Sequence, residues 1–160
     1  FRRVLFRSES EALAVECADA LVGIGRAGGG AFRMVDGEQA LAKALSSQGE
    51  SLRPRIAEAL SWVPSQGAQR ALLSTALASM ASAEGLKDVP MLLRAAAASA
   101  RRFGDKSDPG QVEQLRKAIT ALASVTGDAA VATADLRAAL AECYGSLNLG
   151  PEQAIRLIVK

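Results

Sequence analysis

The chain has 160 residues, 49% hydrophobic, 22% charged and 4% aromatic, which excludes a disordered tail and a fibre and leaves room for one globular core. With no histidine present, Ser/His and Cys/His nucleophile pairs, histidine general bases and histidine metal ligands are removed together. The net charge of +2 rests on Arg2, Arg3 and Arg7; the remainder is slightly acidic and lacks the basic excess of a dedicated nucleic-acid binder.

In chain order, residues 1–8 (FRRVLFRS) share no pattern with the rest of the chain. They read as a fragment end or a non-native segment, with too short an apolar run for a signal peptide. Residues 9–160 read as a single domain. Apolar residues recur three and four apart over 9–24, 37–47, 51–63, 66–82, 88–103, 109–125, 129–147 and 151–159, which predicts a helix in each. The one strand-like run, Ala31 to Val35, is too isolated to build a sheet. Ser65 and Asp108 stand at N-cap positions, Pro109 and Pro151 fit first turns, and Gly25, Gly104 and Asn148 are expected to follow helix ends. No stretch reaches the roughly 18 apolar residues of a membrane span, so no membrane insertion by this segment is expected.

Two local motifs invite a chemical reading and receive a structural one. Gly23 to Gly28 matches G-x-G-x-x-G, but these glycines end a helix, whereas a dinucleotide fingerprint opens one after a strand. Asp105 and Asp108 lie in one loop without the further acidic ligands of a calcium site, so turn formation and capping account for both. Cys17 and Cys143 lie far apart with no partner at metal-ligand spacing and read as buried thiols of a reducing, cytoplasmic protein; the alternative is a disulfide joining the two ends, which would require secretion. No cofactor, metal or small-molecule substrate is expected.

Four of the helices superpose by their ends at residues 25, 64, 104 and 148, about 40 residues apart. Twelve residues before each end stand Leu13, Leu52, Leu92 and Leu136, and seven before it Ala18, Ala57, Ala97 and Ala141. The leucines belong to an apolar stripe. The alanines flank it, where a missing side chain allows a neighbouring helix to approach. Shorter partner helices carry Leu41 and Leu45, Leu73 and Leu77, and Leu115, Ile119 and Leu122. The fold expected is all-α, an α-solenoid of stacked antiparallel helix pairs. In stretches such as AEALSWVP at 57–64 and ADALVGIG at 18–25, the chain resembles the HEAT-repeat family, in particular bacterial HEAT-like proteins. The resemblance spans roughly 9–149 and implies an architecture without an activity. The opening helix of the first copy is missing, as expected at one end of a longer array. Iron-dependent HEAT-like hydroxylases use His-Glu ligands, which this chain lacks.

Six residues before the helix ends stand Asp19, Glu58, Ala98 and Glu142, on the side away from the apolar stripe. In the third copy that side carries Arg94, Arg101 and Arg102, placed to bridge to acids of neighbouring copies or to bind a partner. Trp62, the only tryptophan, lies beside Glu58 and suits either a partner anchor or a cover for the junction between repeats. The leading expectation is a non-enzymatic scaffold that binds a protein or peptide through Glu58, Trp62, Arg94, Arg101 and Arg102. The alternative is a HEAT-like nucleic-acid binder that uses the arginine cluster on a concave face.

Overall fold

The computed structural model describes residues 11–28, 34–47, 51–82 and 84–147. Among them the chain is all-α, without a strand: α1 (Glu11–Arg26), α2 (Glu38–Ser47), α3 (Arg53–Ser61), α4 (Gln66–Ser79), α5 (Val89–Phe103), α6 (Pro109–Ala123), α7 (Asp128–Ala132) and α8 (Ala134–Ser146). Two short 3-10 turns, Met34–Gly37 and Gly85–Lys87, lead into α2 and α5. The helix expected over 151–159, the stop at Asn148 and the segment 1–8 lie outside the described residues.

The boundaries follow from cap chemistry. The Ser65 hydroxyl accepts the Ala68 N–H at 3.1 Å and starts α4. Asp108 accepts the Gly110 N–H at 2.9 Å and forms a capping box with Gln111, while Pro109 occupies the first turn of α6. Gly104 ends α5 with φ of 79°, a left-handed value that glycine adopts without a Cβ penalty. Two boundaries differ from those expected. α1 runs through Gly25 to Arg26, and the positive φ that closes it belongs to Gly28, at 77°. The helix expected over 129–147 is broken at Thr133, whose φ of −101° and ψ of 7° leave the helical region. There α8 starts afresh, with the Arg137 guanidinium donating to the carbonyls of Leu122 and Val125 at the end of α6. Of the strand-like run, Met34 and Val35 fall in a 3-10 turn, and 31–33 lie outside the described residues.

The helices form two rows. In one, α1, α3, α5 and α8 pack side by side in that order; in the other, α2, α4 and α6 do so, with α2 on α3, α4 on α5 and α6 on α8. Between the rows lies the core, in which Leu45, Ile56, Leu60, Leu72, Leu92, Leu93 and Leu115 are wholly buried. The burial of Ala18, Ala57 and Ala97 matches their expected flanking role, but Ala141 on α8 is exposed, and among the described residues no further helix follows α8 in its row. At the other end of the row the stripe of α1 is rotated by one residue. Ala14, Ala18 and Val22 are buried on the side packed against α3, while Leu13 is 40% exposed.

Candidate functional site

Trp62 closes α3, and its ring is held between two neighbouring helices of the same row. Beneath it lies Gly25 of α1: a Cβ there would stand 2.5 Å from the tryptophan Cγ, closer than any real contact allows. Above it lies Arg102 of α5, its Cζ 3.6 Å from the ring centroid, in cation–π geometry. The indole Nε1 is buried without a hydrogen-bond partner among the described residues, so the ring is held by packing and by the guanidinium.

Arg102 is fixed from a second side. Its Nη1 donates to the Ser61 carbonyl at 3.1 Å and to the Ser61 hydroxyl at 2.9 Å, and that hydroxyl donates in turn to the Glu58 carbonyl at 2.7 Å. Ser61 is itself buried. Desolvation lowers the Arg102 pKa, with the like charges of Arg101 and Arg26 acting in the same direction and Glu58 opposing them. The side chain stays a cation at any physiological pH.

The rest of the row surface is an alternation of paired charges. Asp19 of α1 accepts from Arg55 of α3 at 2.9 Å, and Glu58 of α3 pairs with Arg26 of α1. Glu142 of α8 accepts from Arg101 of α5 at 2.9 Å and lies 3.8 Å from Arg94, which also pairs with Asp135. The Arg94 hydrogen bond holds the Asp135 carboxyl below its ordinary pKa, and the same bond raises that of Arg94. Consecutive helices α1 and α3, and α5 and α8, are thus joined by arginine–carboxylate bridges, and α3 and α5 by Arg53 and Asp88 as well as by Arg102. Most of these pairs are exposed, so solvent screens them and they add little to stability.

The structure therefore divides the expected site. Glu58, Trp62 and Arg102 come together at the α1–α3–α5 junction. Arg94 and Arg101 point to the other side of α5, toward α8, and their charges are met there. Trp62 covers the junction between successive helices, one of the two roles open to it from the sequence. Arg26, Ser61 and Gly25 complete the cluster without having been legible in advance. An arginine at a helix end and a serine on an apolar face are common, and nothing local marks Gly25 as the seat of a ring 37 residues away in sequence.

Elsewhere, an open groove of about 660 Å³ lies where α2, α4 and the start of α5 meet, lined by Ser46, Ser74, Thr75 and Ser79 together with Arg53 and Asp88. Burial raises the Cys143 thiol to about 12, so at neutral pH it is a core side chain and not a nucleophile. Among the described residues no group of three or more cysteines and carboxylates is placed to hold a metal ion, and no helix is long and apolar enough to cross a membrane. Comparison with protein families, with characterised proteins and with solved structures finds no match for this chain.

Proposed function

We propose that the protein is a non-catalytic interaction scaffold, an α-solenoid of HEAT-like helix pairs whose α1–α3–α5–α8 row receives a protein or peptide partner. The observation that carries this reading is the order of the rows. Each successive helix of one row packs on the last and is tied to it by arginine bridges, so the exposed side of the row is one continuous, laterally fixed surface. On that surface Glu58, Trp62 and Arg102 form a half-buried cluster with an aromatic and an arginine, the residue types that dominate binding hot spots. Arg94 and Arg101 are neutralised by Asp135 and Glu142, which favours a protein partner of mixed polarity over the phosphate backbone of a nucleic acid.

Selection of random peptides displayed against the full chain tests the proposal. Peptides should be enriched that bind saturably, lose binding on Trp62→Ala or Arg102→Ala, and keep it on Lys117→Ala, an exposed change on α6 in the other row. Failure to enrich any saturable binder of this row would overturn the scaffold reading. DNA affinity whose salt slope falls by up to about three units in the Arg94, Arg101 and Arg102 triple alanine variant would replace it with the nucleic-acid reading.

A further inference from the structure

Among the arginines on the exposed side of the α1–α3–α5–α8 row, Arg102 differs from the others in what it meets. Arg26, Arg55, Arg94 and Arg101 each face a carboxylate of a neighbouring helix. Arg102 has no carboxylate within ion-pair distance among the described residues; its partners are the neutral Ser61 and the Trp62 ring. Around that ring, among the described residues, Arg26 and Arg102 face the single carboxylate of Glu58, which is paired with Arg26, so the cluster carries one positive charge more than its acid neutralises.

The remaining donors of Arg102 have a definite shape. Nη1 is committed to Ser61, while Nε and Nη2, which form the side-on edge of the guanidinium, have no partner among the described residues. That edge presents two parallel N–H groups at the spacing of carboxylate oxygens. The Trp62 ring on one face and the Ser61 oxygens at one corner hold the guanidinium plane in place, so little side-chain entropy remains to be lost when an anion docks. Partial desolvation of Arg102, visible in its lowered pKa, further strengthens attraction to an incoming negative charge.

We propose that the Trp62–Arg102 pair is an acceptor for a carboxylate, the side chain of an aspartate or glutamate in an acidic segment of a partner protein, gripped side-on by Nε and Nη2 above the indole ring. The proposal rests on the scaffold reading and names the chemistry of the partner. It assigns recognition to Arg102 and leaves Arg94 and Arg101 to the bridges with α8.

The probes are a blocked decamer of glutamate and the matching decamer of glutamine, titrated into the full chain at low salt. Trp62, the only tryptophan, supplies the signal, since an anion on Arg102 alters the cation above the ring. The glutamate decamer should shift the Trp62 emission saturably and the glutamine decamer should not. Arg102→Lys, which keeps the charge and loses the planar fork, should weaken binding about tenfold or more. Arg70→Lys, on α4 in the other row, should leave binding unchanged. The wild-type comparison stands whether or not the Arg102 variant folds. An unresponsive Trp62 with the glutamate decamer overturns the acceptor, as does undiminished binding by a folded Arg102→Lys protein. In either case peptides enriched by display still decide the scaffold reading separately. An oligo-dT strand that binds more tightly than the glutamate decamer with the same dependence on Arg102 also overturns it, since the seat would then serve phosphates.

Discussion

Gly23 and Gly25 stand two residues apart in the same helix and are expected to respond to alanine in opposite directions. At Gly23 nothing lies within 4 Å of an added Cβ, so Gly23→Ala gains helix propensity and stabilises by up to about 1 kcal/mol. At Gly25 the same gain is offset by a Cβ 2.5 Å from Trp62, and expelling or displacing the ring costs about 1–3 kcal/mol. Thermal melting followed by circular dichroism should therefore show Gly23→Ala above the wild type and Gly25→Ala below it, with the Trp62 emission changed in the second variant alone. Equal melting temperatures for the two variants would mean that Trp62 does not rest on α1. The difference was not legible from the sequence, because both glycines fall in one G-x-G-x-x-G string and only the approach of a distant ring separates them.

At the level of elements, the connection from α5 to α6 is ordered by a single buried amide. Gln69 is 1% exposed; its Nε2 donates to the Gly104 carbonyl at 2.9 Å, and its Oε1 accepts the Lys106 N–H at 2.8 Å. Around it, Lys106 Nζ reaches the Pro64 carbonyl at 3.0 Å, Arg70 pairs with Asp108 at 3.1 Å, and Gln111 donates to the Arg70 carbonyl and the Ser74 hydroxyl. Gln69→Leu keeps the volume and removes both loop bonds, so it should destabilise by about 1–3 kcal/mol and speed exchange of the Lys106 amide measured by NMR. An unchanged exchange rate would show that the loop is held by its own Asp105 turn, in which Asp105 accepts the Ser107 N–H at 2.8 Å. The sequence displayed the clue, a glutamine among Ala68, Leu72 and Leu73 on an apolar face. Its partner was invisible there, since it is a backbone segment brought over by packing of α4 on α5.

For the molecule as a whole, the two rows predict where substitutions propagate. Leu60 and Leu92 are wholly buried between the rows, and Leu60→Ala or Leu92→Ala should cost about 2–5 kcal/mol. For a chain of this size that lowers the melting temperature by roughly 2–4 °C per kcal/mol. Glu58→Ala removes an exposed bridge to Arg26 and should cost under about 1 kcal/mol, an effect that added salt erases. If denaturant titrations gave Glu58→Ala the same loss as Leu60→Ala, the bridges and not the core would be holding the rows together.

Taken alone, the sequence determined that the chain is helical, where most helices begin and end, and that leucines such as Leu41, Leu45, Leu52, Leu73, Leu92 and Leu115 belong to the core, although Leu13 of the same stripe is exposed. Those properties arise from spacing three and four apart and from caps within a few residues, and both are local. It also marked Glu58, Trp62 and the three arginines as the surface to examine. Only the tertiary structure decided which arginines are neutralised, that Gly25 is a seat and not a helix stop, and that Thr133 divides the last helical stretch. Each of these depends on groups more than ten residues apart in sequence, an Arg102 above a Trp62 or an Arg137 against the end of α6. The approach of such groups is set by how whole helices pack and not by the pattern along any one of them.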